Sequence, residues 1–386
     1  MSDVFDIFII GGGINGAGIA RDASGRGLKV ALCDKGKIGA ATSSWSTKLI
    51  HGGLRYLENY EFGLVRESLN EREIIHQIAP NITKSLPFVI PHTKKLRPAW
   101  IIRLGLFIYD NLTRKNTISK SASINIQKKY KNILKSKFVN GFEYYDLQVD
   151  DQELVRLNAL DAKKRGAKIF ENSAVTKAER KLGNWEISFS NNKICKSKIL
   201  INASGPWVNQ VLNNVINLNE KKSMRLIKGS HIVTKKLYDM EVAFTLQNID
   251  NRVVFTIPYK NNYTLIGTTE IEVSNPDENT IEENEIKYLI DCVNLYFIKS
   301  ISKDDIVETF SGVRPLIASQ LDNISRITRD YYLDLNLEKN KAPLLNIYGG
   351  KLTTYRKLSE NAISKLKIFL PSMKANWTSK KPLILL

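Results

Sequence analysis

Apolar positions along this chain come in blocks of different period. Phe5 to Ile10 is a short, nearly continuous apolar run, followed by small residues from Ala17 to Gly25 and a second apolar run from Leu28 to Leu32. That order predicts strand, helix, strand, the strands being covered on both faces as in a parallel sheet. Over 61–78, Phe62, Val65, Leu69 and Ile75 recur near helical spacing ahead of Pro80, which predicts an amphipathic helix. Four prolines (Pro80, Pro87, Pro91, Pro98) surround a short strand and mark departure from the first unit. Pro98 is placed to start a helix on which Trp100, Ile101, Leu104, Phe107 and Ile108 form a broad apolar face. Residues 115–140 are polar and Lys-rich and are expected to form exposed loops. From Phe142 the α/β pattern returns, with a helix near 151–165 that Gly166 ends and strands near 168–201. Residues 224–334 read as a separate, largely antiparallel unit with a hairpin about Asn261 and Asn262 and a covering helix over 281–299. A last strand, glycine turn and helix around 346–366 returns to the first unit.

The first block carries recognisable chemistry. Gly11 permits a tight turn, Gly13 lets a pyrophosphate approach bare backbone at a helix N-terminus, and Gly16 lets helix and strand pack closely. Asp34, at the end of the second strand, is placed to accept ribose hydroxyls. Together these predict a βαβ dinucleotide site. Such a unit alone does not choose between NAD and FAD. Three separated glycine-bearing segments, 11–18, 203–205 and 349–350, enclosing one ligand favour FAD, a long and permanently buried cofactor.

Composition changes the picture in one respect. Apolar residues at 43% and charged residues at 25% describe an ordinary globular chain of 386 residues, but 57 Lys and Arg against 39 Asp and Glu give a net charge of +18. The excess points either to an anionic partner (phosphate groups, an acidic lipid surface, nucleic acid last) or to a Lys-rich solvated surface. Cys33, Cys195 and Cys292 lack paired or metal-ligand spacing and are expected as buried, reduced thiols. Met1 to Asp6 has no signal-peptide pattern, and no apolar run approaches the ~18 residues needed to span a bilayer, so any membrane contact is expected to be peripheral. The flanking Lys94, Lys95, Arg97, Arg103, Arg114 and Lys115 make the helix at 98–111 a candidate for that contact, with a core helix of the second unit as the alternative. Neither His nor carboxylates show metal-ligand spacing, and no nucleophile elbow is present.

Between the second strand and the next helix lies a polar loop rich in Gly, Ser and Thr, ATSSWSTKLIHGGLRYLE at 41–58. Placed just after GGGINGAGIA, it resembles the FAD-dependent, quinone-linked glycerol-3-phosphate dehydrogenases. RPAWIIRLGLFIYD (97–110), NASGPWV (202–208), RLIKGSHIV (225–233), SGVRPL (311–316), ITRDY (327–331) and GGKLTTYRKL (349–358) extend the resemblance over nearly the whole chain. Ser204 stands where that family more often has Thr, and the family usually continues into a C-terminal helical domain where this chain stops at Leu386. The apolar end, Leu383 to Leu386, is expected to be exposed unless a partner covers it.

The resemblance implies an α/β fold, a Rossmann-like FAD-binding domain (glutathione-reductase-like, DAAO superfamily type) with an inserted antiparallel-sheet substrate domain. The expected divisions are 1–85, 141–223 and 340–386 for the FAD-binding domain, and 86–140 and 224–339 for the substrate domain. Implied cofactor contacts are Gly11, Gly13, Ile14, Asn15, Gly16, Asp34, Thr42, Ser43, Ser44, Ser46, Lys48, Leu49, Ala203, Gly205, Gly350, Lys351, Leu352 and Thr353. Arg55, Tyr56, Arg314 and Arg329 are implied in substrate binding, since a guanidinium captures phosphate in a bidentate manner. His51, His231, Arg314 and Lys351 are candidates at the reacting hydroxyl, and which residue is the base stays open. The implied reaction is oxidation of sn-glycerol 3-phosphate to dihydroxyacetone phosphate, with membrane quinone as acceptor. A glycerol-3-phosphate oxidase, a related amine or hydroxy-acid oxidase, and a non-catalytic flavin-fold protein are the alternatives. A homodimer on the anionic inner face of the cytoplasmic membrane, with no nucleic-acid partner, completes the expectation.

Overall fold

The computed structural model describes residues 4–93, 98–113, 117–218, 222–248, 250, 252–317 and 330–383. Two sheets organise it. In the first, of eight strands, Val4–Ile10 is central, paired in parallel with Ile194–Asn202 on one side and Val30–Cys33 on the other. Lys168–Phe170 and Leu344–Gly349 extend this parallel core, and Tyr331–Asn336 closes one edge antiparallel. The central strand is buried on both faces, which is why its sequence is a continuous apolar run rather than an alternating one. The nucleotide helix, Ile14–Gly25, covers the sheet together with Asp151–Lys164 and Tyr355–Lys365, and Ile7, Ile19, Ala20, Ile199, Ile347 and Leu358 meet in the core between them.

The second sheet has ten strands. Its axis is Met224–Lys235, antiparallel to Ile306–Ile317 along nearly its whole length and to Tyr263–Gly267 on the other side. Among the described residues only Ala243–Gln247 and Thr83–His92 pair in parallel there, so the expected largely antiparallel character holds. The hairpin turn falls at 260–262, where Lys260 and Asn261 take positive φ. The covering helix is Glu283–Tyr296, with Leu289, Val293 and Tyr296 against Ile232, Phe244 and Leu246.

Several segments pair or pack elsewhere than the pattern implies. Asn140–Val149, mostly assigned to the cofactor unit, pairs with Thr83–His92 in the second sheet, whereas Tyr331–Asn336, assigned to the substrate unit, joins the first. A strand's own sequence does not specify its neighbour, which is chosen by the packing of whole layers. Residues 115–140 are not simply exposed loops. Ile126, Tyr130, Leu134 and Phe138, four residues apart among the lysines, are buried beneath the covering helix, and Phe138 stacks on Tyr296 at 4.5 Å. Phe62 is exposed, although Val65, Leu69 and Ile75 of Phe62–Ile78 are buried as expected. Leu383 is buried and donates its amide to Ile78 O at 2.8 Å; residues 384–386 lie outside the described residues. The three cysteines are free and buried.

The helix Ala99–Asn111 turns Leu106, Tyr109 and Asp110 inward and leaves Trp100 68% and Phe107 58% exposed, with Ile101 and Leu104 beside them. Its broad apolar face is therefore on the surface and not in a core. Arg103 reaches Ser121 Oγ at 2.7 Å, while 94–97 and 114–116 lie outside the described residues. Among the described residues no helix is long and apolar enough to cross a membrane.

Candidate active site

Where Val4–Ile10 ends, the chain turns at Gly11, whose φ of +108° lies in the region that favours glycine. The next strand is so close that a Cβ on Gly11 would lie 2.5 Å from Ala203 O. A Cβ on Gly16 would lie 1.8 Å from Gly11 O, so Gly16 serves the packing of helix on strand and does not line the cavity. Gly13 is the N-cap of the nucleotide helix and offers no side-chain cap; instead Ser43 Oγ accepts from Ile14 N at 2.9 Å. The exposed first-turn amides and the axial dipole make this end a seat for phosphate oxygens. Asp34 accepts from Gly12 N at 2.7 Å and from Gly36 N at 2.8 Å, so its carboxylate also fixes the turn it was expected only to complement.

A cavity of about 480 Å³ runs along this turn. Gly11, Gly13, Ile14, Asn15, Asp34, Thr42, Ser43, Ser46, Leu49, Ala203, Gly205, Gly350, Lys351, Leu352 and Thr353 all line it, so residues far apart in sequence converge. Asn15 ties two of the segments, donating from Nδ2 to Gly349 O at 3.2 Å, and its Oδ1 is buried without a partner among the described residues. Besides Gly16, two implied contacts do not line the cavity. Ser44 donates its hydroxyl to Gly39 O, and Lys48 is paired with Asp151 at 2.7 Å and with Ser44 O at 3.0 Å. A positive side chain beside a buried carboxylate satisfies that carboxylate first. Trp45, Thr47, Gly229, Thr268 and Gly312 line the cavity without having been singled out from sequence. Gly229 and Gly312 face each other as a pair across two strands, a register that only the paired sheet reveals.

A second cavity of about 1010 Å³ adjoins the first, and the two share Thr47, Leu49, His51, Tyr56, Thr268 and Arg314. Here the candidate chemistry gathers. His51, Tyr56 and Arg314 stand at the common wall, Arg55 lines the second cavity only, and His231 and Lys351 line the first only. Arg329 lies outside the described residues. Arg314 Nη2 is 3.8 Å from Glu270 Oε1, a carboxylate the sequence reading passed over. Lys351 Nζ lies 4.5 Å from the Tyr56 ring centroid and 3.3 Å from Ser68 Oγ.

His231 is nearly fully buried on Met224–Lys235, stacked on Phe310 at 4.9 Å. Burial first, then the charges of Arg314 and Lys48, push its pKa down to about 3. The imidazole is therefore neutral at physiological pH. A Cβ on Gly267 would lie 2.2 Å from its Cδ2, so the ring occupies space that only glycine leaves open.

The profile of the family described as FAD dependent oxidoreductase matches residues 6–356. The chain belongs to that family. A glycerol-3-phosphate dehydrogenase of Pseudomonas tolaasii is 47% identical over 388 residues, covering 99% of this chain and 75% of the relative. A D-erythritol 1-phosphate dehydrogenase of Brucella abortus is 44% identical, covering 98% of this chain and 76% of the relative. Within the flavin-dependent family the chain thus falls among the glycerol-3-phosphate dehydrogenases. The X-ray structure of the glycerol-3-phosphate dehydrogenase from Bacillus halodurans complexed with FAD superposes with a TM-score of 0.75 at 24% identity, covering 98% of this chain and 67% of that one, and shows the same fold. The cofactor is FAD. The residues present fit it: a glycine-floored turn at a helix N-terminus, a long cavity crossing three chain segments, and a buried amide oxygen on Asn15 left for a ligand.

Proposed function

We propose that this chain oxidises sn-glycerol 3-phosphate at C2 to dihydroxyacetone phosphate and that its electrons pass on to membrane quinone. The observation that carries this reading is the meeting of His51, Tyr56 and Arg314 on the wall shared by the cofactor cavity and the larger cavity, with Arg55 just beyond. FAD supplies the hydride acceptor. The protein's own residues bind, orient and deprotonate the substrate. Arg314 and Arg55 present cations for a phosphate dianion, and Glu270 at 3.8 Å limits where the Arg314 guanidinium can swing. The hydroxyl proton must leave as hydride leaves, and a base works best with a pKa near the operating pH. His231, held far below that range, is unsuited and acts as a neutral hydrogen-bonding group; His51, half-buried and facing both cavities, is assigned as the base. Lys351 adds positive charge to the same chamber.

The electron acceptor is assigned to a membrane because the helix Ala99–Asn111 presents Trp100, Leu104 and Phe107 to the outside of a strongly cationic chain. We place the protein peripherally on the inner face of the cytoplasmic membrane. The division into a discontinuous cofactor domain and an inserted substrate domain follows the two sheets, with Asn140–Val149 counted in the second and Tyr331–Asn336 in the first.

A second reading rests on cavity size: about 1010 Å³ exceeds the need of a three-carbon phosphate and leaves room for a four-carbon polyol phosphate. Anaerobic titration decides between them. Bleaching of the flavin by glycerol 3-phosphate at lower concentration than by erythritol 1-phosphate supports the first, the reverse order supports the second, and no bleaching by either overturns both.

A further inference from the structure

Beneath His51 the described residues hold a buried polar chain that the reaction as outlined does not use. Gly52 donates its amide to Tyr109 Oη at 2.8 Å. Tyr109 in turn donates to Asp146, whose two carboxylate oxygens lie 2.9 and 2.8 Å from the phenol oxygen. Arg72 completes the chain, with Nη1 2.8 Å from Asp146 Oδ1 and 3.0 Å from Tyr145 O, and Nη2 3.0 Å from Glu73 Oε1. Tyr109, Asp146 and Arg72 are each at most 3% exposed.

The directionality follows from chemistry. A phenol has one proton and a carboxylate has none, so the proton of Tyr109 goes to Asp146 and its lone pairs face the Gly52 amide. Burial raises the pKa of the Asp146 carboxyl, and the Arg72 guanidinium beside it opposes that rise. The bond therefore fixes the plane of the peptide that immediately follows His51. On the other side of the same residue, the His51 backbone meets Thr353 Oγ1 at 3.3 Å through both its N–H and its C=O. Just before it, Leu49–Ile50 is held in register by pairing with Leu147 and Gln148, neighbours of Asp146. Just after it, Gly53 takes φ +78° and the chain swings out to Arg55 and Tyr56. A Cβ on Gly52 would lie 2.7 Å from Tyr109 Oη, so the close approach is built into the residue choice.

We propose that Tyr109, anchored by Asp146 and Arg72, is a positioning residue that sets the orientation of His51, and with it Arg55 and Tyr56, through the Gly52 amide. Tyr109 touches neither cavity wall that carries the chemistry; it acts through the turn. It also stands on the helix whose opposite side is the exposed apolar face, so the surface helix and the turn bearing His51 share one hydrogen bond.

Tyr109→Phe removes one oxygen and leaves the ring packing in place. In the FAD-loaded variant, amide hydrogen exchange over 49–56 should be at least tenfold faster than in the wild type, while Val65 to Ile78 and the strand Thr83–His92 keep wild-type protection. Unchanged exchange over 49–56 overturns the proposal, and this arm needs no substrate. The kinetic arm rests on the proposed polyol-phosphate oxidation with His51 as its base. Tyr109→Phe should keep a full flavin complement and lose about tenfold in kcat/KM, the scale of one buried hydrogen bond. In a His51→Asn background the same change should cost several-fold less than in the wild type, because much of its effect passes through His51. Equal losses in both backgrounds overturn the proposal. A wild type that glycerol 3-phosphate does not reduce overturns the functional reading instead, and the exchange arm then decides this one alone.

Discussion

His231 Nε2 lies 3.0 Å from Thr47 Oγ1, whereas the other ring nitrogen, Nδ1, is buried without a partner among the described residues. This pairing joins the second sheet to the loop over the cofactor cavity. With the folded pKa near 3 and an ordinary value of 6.5 when unfolded, the unfolded chain binds the extra proton first as pH falls. The contribution of neutral His231 is therefore intact above pH 6.5 and is lost progressively between about 6.5 and 3, at roughly 1.4 kcal/mol per pH unit at most. Burial raises Asp22 to about 6, which acts in the opposite sense, so the informative quantity is a difference. The slope of stability against pH between 6.5 and 4 should be shallower in His231→Gln than in the wild type; parallel slopes in denaturant titrations would exclude this origin.

Gly267 is the other constraint on that imidazole. A methyl group there has no room, since the His231 ring carbon is 2.2 Å from where it would sit. Gly267→Ala should destabilise by about 1 to 3 kcal/mol, the usual cost of overpacking, and reduce kcat/KM. Combining it with His231→Ala should recover most of the stability, which chemical denaturation measures directly.

Arg314 Nη2 lies 3.8 Å from Glu270 Oε1, and a planar guanidinium can give a phosphate two parallel hydrogen bonds. Arg314→Lys keeps the charge and loses the second parallel hydrogen bond, so kcat/KM should fall about ten- to a hundredfold. Flavin content should be unchanged. Loss of flavin together with activity would instead make Arg314 a structural residue.

The apolar face of Ala99–Asn111 contributes little to folding because it is already in water. Replacing Trp100 and Phe107 by Ser should leave thermal stability within about 0.5 kcal/mol and leave turnover with a soluble dye unchanged. Sedimentation with anionic vesicles at low salt should drop severalfold. Equal sedimentation of variant and parent would remove this helix from the membrane contact.

Much of the first sheet and its helix was determined locally. Phe5 to Ile10, the three glycines and Asp34 each have a backbone or packing requirement satisfied within one βαβ unit, so adjacent residues suffice to state it. The polar 41–58 loop and the 349–353 turn were assigned to the cofactor through their resemblance to family motifs, which are contiguous in sequence and so legible there. Tertiary structure alone decided which sheet Asn140–Val149 and Tyr331–Asn336 joined, that Lys48 neutralises Asp151 and does not line the cavity, and that Gly229 faces Gly312. It also brought Glu270 to Arg314, and Tyr109 and Asp146 to the Gly52 amide. Strand pairing and ion pairing depend on what lies across a gap, and a residue's own neighbours in sequence carry no record of that distance.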